Sequence, residues 1–340
     1  MGKQSVIRRI VQSKIFQLLC IMAIVLIAAA IVKPNAFTLG NARQILNNVS
    51  YYGVFVIGLS CVLISGNIDF SMAGIATCAM LLFSGVFKWT PGIPWVLAAL
   101  AALCAGAVAG MINAFFVERL NIMPFIVTIA TSSIFGGIAA WVTHGNQVQI
   151  MNRSFIKLSA TYFGPVPLLF VFMLALFFVY SVMLKKTKFG RSIFMAGGNQ
   201  AAARLAGLNP KRIKSILYIN NGVLCSVAGL IWASQQQMAH PGSLINQAPH
   251  ITSLIAVLLG GVSFIGGSGS LFGAFFGITT IQLLAYALQT MGLPLWVISL
   301  VNGMLLVVAV AIDGYNMRKR FKRLGIKIAG GSAAMPGMSK

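Results

Sequence analysis

The chain alternates between long apolar runs and short polar connections along most of its length. An α-helix needs about 20 mostly apolar residues to cross a bilayer, and ten of the runs approach that length. The pattern therefore predicts an all-α polytopic membrane protein with about ten transmembrane helices. The predicted spans are 15–32, 47–64, 72–87, 95–117, 124–142, 166–184, 213–235, 251–265, 271–290 and 294–313.

The third and eighth predicted spans, 72–87 and 251–265, are short for a membrane crossing. Irregular or re-entrant backbone is tolerated at membrane depth only where protein or a water-filled cavity surrounds it. Both segments are therefore predicted to be broken or re-entrant.

A weak internal repeat relates the two halves of the chain. Small residues at 106–110 precede Pro124 at the start of one span, and similar residues at 273–277 precede Pro294 in the same role. The two units run in opposite directions across the membrane in the predicted topology, which favours an inverted repeat of five spans each. Both small-residue segments are GxxxG pairs, and their first interpretation is close helix packing.

Composition excludes a soluble fold. Only 8% of the residues are charged, 58% are hydrophobic, and mean hydropathy is +0.90; a soluble domain carries about 25% charged residues. The net charge of +22 could suggest nucleic acid, but the basic residues lie between the apolar runs and at the two ends. No nucleic acid partner is therefore expected, and the contact surface is membrane lipid.

The basic residues instead predict an orientation, because Lys and Arg are concentrated in cytoplasmic segments. Of 25 Lys and Arg residues, 20 fall on one side of the predicted membrane and five on the other. Both termini are predicted to be cytoplasmic. The organisation is a basic tail (1–14), one transmembrane domain (15–313) with a cytoplasmic loop (185–214), and a second basic tail (314–340). The first apolar run is interpreted as an uncleaved span because no clear cleavage site ends it.

Few residues are suited to chemistry. The five cysteines form no CxxC or Cys/His cluster, so neither a metal site nor a redox site is expected. The only acids are Asp69, Glu118 and Asp313. Glu118 and Asp313 lie at span ends beside basic residues, with which ion pairs are expected. Asp69 lies between apolar runs, and two interpretations stay open for it: a helix cap or a role near a transport path.

The glycine-rich stretch 260–269 has a spacing similar to a phosphate-binding loop, but Gly267 stands where the required Lys would be. No catalytic residue set accompanies it, so the chain is not expected to be an enzyme. The stretch is instead interpreted as a tight turn between two packed helices.

The 185–214 loop contains a short predicted helix. Asn199 is a good N-cap, the residues 200–206 favour a helix, Gly207 suits the position after its end, and Pro210 stops continuation. Such a helix docks into a partner groove or lies on the membrane surface, and the residues alone leave both open.

Four stretches, in order, resemble the membrane permeases of bacterial ABC importers for monosaccharides. Residues 66–71 resemble the family's Gly-Gly-Ile-Asp-Leu-Ser, and 124–128 its Pro-Phe-Ile-x-Thr. Residues 190–207 resemble its Gly-Gly-Asn loop, and 260–277 its Gly-Gly-x-Ser-x-x-Gly-Gly segment. The resemblance extends over residues 45–315.

The resemblance implies a permease subunit in the bacterial inner membrane that acts with other proteins. These are a second permease copy (the same chain or a paralogue), a cytoplasmic ATPase that carries ATP and Mg, and an external sugar-binding protein. The ATPase contact is expected at Gly198, Asn199, Gln200, Ala202, Ala203, Arg204 and Gly207. Residues of the path or of structural motifs are expected to be Gly66, Asp69, Ser71, Pro124, Gly260, Gly261, Gly266 and Gly267.

Two departures from the family pattern stand out. Asn67 replaces the second Gly of the first motif, and Gln200 and Ala201 stand where the family usually has acids. Acids there would favour the helix dipole, so this helix lacks that help. The alternative function is a secondary carrier of a small polar solute that needs no ATPase. The scarcity of intramembrane acids and the long basic loop argue against it.

Overall fold

The chain was described from a computed structural model, which covers residues 14–32, 38–89 and 92–323. The described part is an all-α membrane protein, as the hydropathy pattern predicts. Its helices are α1 (Lys14–Val32), α2 (Leu39–Ile64), α3 (Met72–Trp89), α4 (Trp95–Ala114), α5 (Pro124–Thr143), α6 (Arg153–Ala160), α7 (Leu168–Lys186), α8 (Lys188–Gly198), α9 (Gln200–Leu205), α10 (Pro210–Gln236), α11 (Ser243–Gln247), α12 (Pro249–Leu259), α13 (Leu271–Thr290) and α14 (Leu295–Arg323).

Each of the ten predicted spans corresponds to a helix. Seven helices in the described part are long and apolar enough to cross a membrane, namely α2, α4, α5, α7, α10, α13 and α14. Helix α3 is continuous over its 18 residues, whereas α11 and α12 are two short helices separated by Ala248 at φ +44°. The eighth predicted span is helical only as far as Leu259, and the third is a short but unbroken helix.

The last helix of the chain is longer than the predicted final span. Helix α14 continues past the predicted limit of 313 to Arg323. The first 13 residues and residues 324–340, which hold most of the two predicted basic tails, lie outside the described residues.

Helix α10 is central to the packing and contacts α2, α3 and α4. It is long and largely buried, as is α2. Both remain inside because their buried positions occur on all faces, which is typical of a helix surrounded by protein. Helix α14 is exposed on most of its surface.

The two GxxxG pairs do allow close packing, but against helices that are not equivalent. A β carbon built at Gly110 would lie 2.7 Å from the Ile219 Cα of α10. One built at Gly273 would lie 2.8 Å from the Gly260 carbonyl carbon, at the end of α12. The inverted repeat would place the second pair against α2.

Short strands close the connections at the end of the molecule opposite the 185–214 loop. Strand β1 (Val148–Gln149) pairs antiparallel with β4 (Met238–Ala239), with Val148 opposite Ala239. Strand β2 (Tyr162–Phe163) pairs antiparallel with β3 (Val166–Pro167). The first pair joins the connection after α5 to the connection after α10, so it ties the two halves together at this end.

Candidate functional site

The connection between α2 and α3 is an extended polar segment, residues 67–71, buried inside the protein. Helix α2 ends in a turn in which Gly66 adopts φ +82°, a conformation that glycine accepts without strain. Residues 67–70 have no regular structure, and α3 begins at Met72. Asn67, Asp69 and Ser71 are all buried. A buried extended segment needs polar partners for its backbone and side chains, and these come mainly from α10.

Three residues on one face of α10 donate hydrogen bonds to three consecutive residues of the segment. We call this set of hydrogen bonds the polar ladder. Lys214 Nζ donates to Asn67 Oδ1 at 3.0 Å. Tyr218 Oη donates to the Ile68 carbonyl oxygen at 3.0 Å. Asn221 Nδ2 donates to Asp69 Oδ2 at 2.8 Å. The spacing of four and three residues places the donors on one helix face, so the segment is attached to α10 along its length.

The segment lies deep in the protein. Asn221 is eleven residues from the start of α10, which is about 16 Å along the helix at 1.5 Å per residue. Asp69, which accepts from Asn221, is therefore far from the end of α10 that adjoins the basic loop. Its Oδ1 accepts from both the backbone N and the Oγ of Ser71.

Asp69 thus has features of both interpretations that the sequence left open. Its bond to the Ser71 backbone N supports the start of α3, as a cap does. Its fully buried position and its bond to α10 exceed what a cap requires. The network continues across the bundle, because Asn113 Nδ2 donates to Ser71 Oγ and Thr131 Oγ1 donates to Asn113 Oδ1. Asp69 therefore connects α3, α4, α5 and α10.

Asn67 explains one departure from the family pattern. Its Nδ2 donates to Glu118 Oε1 at 2.6 Å, while its Oδ1 accepts from Lys214. The amide therefore bridges a buried acid and a buried base. Gly66, and not Asn67, has the positive φ, so position 67 does not require glycine.

The other two acids accept hydrogen bonds from groups that are distant in the sequence. Glu118 receives a hydrogen bond from Asn67, which is distant in the sequence, rather than from its basic neighbour Arg119. Asp313 Oδ2 accepts from the backbone N of Phe264 at 3.1 Å. Neither contact could be predicted from the sequence, because each joins residues that become neighbours only when the chain folds.

Three glycine motifs far apart in the sequence meet at one place, which we call the glycine junction: Gly66, Gly197–Gly198 and Gly266–Gly267. The Gly267 backbone N donates to the Ile64 carbonyl oxygen at 2.8 Å. A β carbon at Gly266 would lie 2.6 Å from the Gly66 Cα, and one at Gly197 would lie 2.7 Å from the Gly267 N. Side chains would separate these backbones, so glycine is required by the close approach itself.

The junction adjoins the predicted helix of the basic loop. Asn199 caps α9, with its Oδ1 accepting from the Ala202 backbone N at 3.0 Å. Helix α9 runs from Gln200 to Leu205, and Gly207 follows with φ +78°. The predicted cap, helix and glycine are therefore confirmed, with the helix one residue shorter than predicted. An additional helix, α8, precedes it and was not predicted from the sequence.

The predicted contact residues of α9 differ in exposure. Arg204, Gln200 and Ala202 are exposed, whereas Ala203 is completely buried against its own chain. Ala203 is therefore unavailable to a partner protein. Leu205, which the sequence reasoning did not select, is 92% exposed.

The remaining predicted residues have structural positions. Pro124 is the first residue of α5, where it replaces an N–H that has no helical partner. Gly260 ends α12, and Gly261 follows with φ +89°. The stretch after them forms the predicted turn between α12 and α13, with the Ser263 N donating to the Ser268 carbonyl oxygen.

Several residues of the site were not predicted, although the sequence around some of them indicates a helix. Thr187 is a helix cap of the expected type and accepts from the Gly190 N at 3.0 Å. Phe189, Ile193 and Ala196 follow at helical spacing and indicate α8. Lys214 was assigned to the solvated loop, but its side chain is buried.

Comparisons with known proteins agree with one another. The family described as "Branched-chain amino acid transport system / permease component" matches residues 41–310. The L-arabinose transport system permease protein AraH of Escherichia coli (strain K12) is 32% identical over 307 residues, 90% of this chain and 92% of the relative. The ribose import permease protein RbsC of Bacillus subtilis (strain 168) is 30% identical over 292 residues, 85% of this chain and 89% of the relative. No solved structure matches the chain.

Proposed function

The chain belongs to the family of branched-chain amino acid transport system permease components and is a permease subunit of an ABC importer, and we propose that it carries a monosaccharide across the bacterial inner membrane. The sugar class rests on relatives named for L-arabinose and ribose, which cover most of this chain. The side chains of Asn67, Asp69 and Ser71 bond to groups of this chain, which favours a path rather than a tight sugar site at this segment. Specificity then resides mainly in an external binding protein.

The observation that carries the coupling part of the proposal is the exposure of α9. Leu205 is 92% exposed beside the exposed Arg204, on a helix with a formed cap, so this helix face is open to a partner. A cytoplasmic ATPase that binds ATP and Mg covers this helix. Arg204 then meets an acidic or carbonyl acceptor, and Leu205 enters a groove of the ATPase.

The assembly contains two permease copies, with both termini in the cytoplasm. The exposed apolar surface of α14 and of α5 is available for lipid and for a second copy of this chain or a paralogue. ATP binding brings the two ATPases together, which moves α9, and the permeases then alternate between outward-open and inward-open states.

The test is reconstitution of this chain with its partner ATPase and an external sugar-binding protein. Proteoliposomes should accumulate radiolabelled L-arabinose or D-ribose only with ATP, and the binding protein should stimulate hydrolysis. The purified chain alone should not hydrolyse ATP. ATP-independent uptake that follows a proton or sodium gradient would instead indicate a secondary carrier.

A further inference from the structure

An aromatic cluster lies where the polar segment meets the starts of two helices. The ring of Phe70 contacts the ring of Phe125 edge-on, with centroids 5.5 Å apart and planes at 75°. The other contact of Phe70 is His250, with centroids also 5.5 Å apart. Phe125 is the second residue of α5 and His250 the second of α12. The cluster therefore joins three elements that are separate in the sequence.

The cluster is only partly covered by the protein itself. Phe125 is 53% exposed, and Phe70 and His250 are half-buried. The Nδ1 atom of His250 has no hydrogen-bond partner within the described part of the chain. More than half of the Phe125 surface is therefore left uncovered by this chain.

The position of the cluster in the repeat points to a transport path. Helices α3 and α12 are the short third elements of the two halves, and both begin beside the cluster, at Met72 and Pro249. Short or interrupted helices in corresponding positions of two halves are the best sequence pointer to the path of a transporter. Phe70 lies directly between buried Asp69 and Ser71, so it is placed at the depth of the buried network.

A continuous set of contacts leads from α9 to Phe70. Helix α8 ends at Gly198, one residue before the Asn199 cap, and Gly197 contacts Gly66 in the glycine junction. Four residues after Gly66 is Phe70. The polar ladder attaches the intervening residues to α10, which begins shortly after α9. A movement of α9 therefore displaces the glycine junction and α10 together, and both carry the segment that holds Phe70.

We propose that Phe70, Phe125 and His250 form an aromatic gate that closes the sugar path until the ATPase moves α9. The inference rests on the proposed function for the identity of the transported solute. Aromatic rings suit this role because they exclude water and small polar solutes in the closed state, and edge-on pairs hold a defined geometry. When the segment shifts with α10, Phe70 separates from Phe125 and His250.

The experiment measures leakage through the complex without ATP or binding protein. Proteoliposomes that contain the permease with its ATPase are loaded with radiolabelled D-ribose or L-arabinose, and efflux is followed. Phe70→Ala should raise efflux about tenfold or more, which corresponds to a loss of about 1.4 kcal/mol of closed-state stability. Phe276→Ala is the matched control, because it removes a half-buried ring from α13, away from the gate.

A second variant protects the test against misfolding. Phe125 is more than half exposed at the start of α5, so Phe125→Ala leaves the core intact and should also increase efflux. If both variants show efflux at the wild-type rate while the wild-type complex is active in ATP-driven uptake, the gate proposal is wrong. The proposed function is not affected by that result. If the wild-type complex shows no ATP-driven uptake, the proposed function is wrong. The gate is then tested separately, by whether efflux from the two variants is faster than efflux from Phe276→Ala.

Discussion

The Lys214 side chain at the start of α10 lies 3.0 Å, Nζ to Oδ1, from Asn67 in the polar segment. Asn67 in turn donates to Glu118, in the π-helical turn Phe115–Arg119 that follows α4. A buried acid and a buried base are therefore joined through one amide, close to the loop that carries α9. The contact fixes the polar segment to the helix that follows the proposed ATPase contact, and several predictions depend on it.

Replacement of Lys214 by methionine should destabilise the protein markedly. The substitution removes the charged donor to Asn67 and the base that this amide joins to Glu118, and a lost hydrogen bond of a charged group costs about 1.5–3 kcal/mol. We expect a clear fall in the midpoint of thermal unfolding in detergent. Lys211→Met is the matched control, since Lys211 donates to Asn121 at the exposed surface, where such contacts contribute at most about 1 kcal/mol. Equal midpoints for the two variants would show that the bridge has no energetic role.

A double variant separates the effect of the unpaired Glu118 charge from the effect of altered packing at residue 214. In Lys214→Met/Glu118→Gln, the uncompensated acid is removed and the amide can still accept from Asn67 Nδ2. Much of the lost stability should therefore return. No recovery would place the effect in packing around residue 214 rather than in the charge pair.

Asp69→Asn should impair transport while largely sparing membrane insertion and stability. The remaining Oδ1 can still accept from Ser71, and Asn221 has an Oδ1 atom without a partner among the described residues. Rotation of the Asn221 amide then supplies an acceptor for the new NH₂ group. What changes is the carboxyl group itself, because the amide keeps only one of its two accepting oxygens. We expect ATP-driven uptake to fall about tenfold, since ~1.4 kcal/mol is a factor of ten.

The control for this variant is Asp69→Ala, which removes the accepting oxygens altogether and should lower the unfolding midpoint as well. Uptake at the wild-type level by Asp69→Asn would show that Asp69 serves only as a helix cap.

Two adjacent glycines test the glycine junction. A β carbon at Gly197 would lie 2.7 Å from the Gly267 N, whereas at Gly198 the nearest atom would be the Gly267 Cα at an ordinary 3.7 Å. Gly197→Ala should therefore force the motifs apart and cost about 1–3 kcal/mol, visible in thermal unfolding. Gly198→Ala should be close to neutral in the same measurement. A similar loss in both variants would indicate helix-end effects in α8 rather than a backbone contact.

Local features of the site could be predicted from the sequence, whereas its long-range contacts could not. The cap at Asn199 and the glycine at 207 follow from preferences within a few residues. The ladder contacts of Lys214 and Asn221 join residues 147 and 152 positions apart. Nothing in a basic loop distinguishes a lysine that turns inward, because its buried partner is known only after folding. The early end of the α12 helix was suggested by the short apolar length of the eighth predicted span.

The last prediction concerns the exposed face of α9. Leu205→Glu and Arg204→Glu should each abolish sugar-stimulated ATP hydrolysis by the assembled complex. The first places a charge in an apolar contact, and the second replaces a donor with a like charge opposite an acidic or carbonyl acceptor. Neither residue is buried within the chain, so unfolding midpoints should remain unchanged.

Arg191→Glu is the control, because it reverses an exposed charge in α8 of the same loop without altering α9. It should retain most of the coupled hydrolysis. Cysteines introduced at 204 or 205 should cross-link to the ATPase, whereas a cysteine at the buried position of Ala203 should not. If both α9 variants hydrolyse ATP and transport sugar like Arg191→Glu, and neither exposed position cross-links, then α9 lies on the membrane surface and another part of the chain contacts the ATPase.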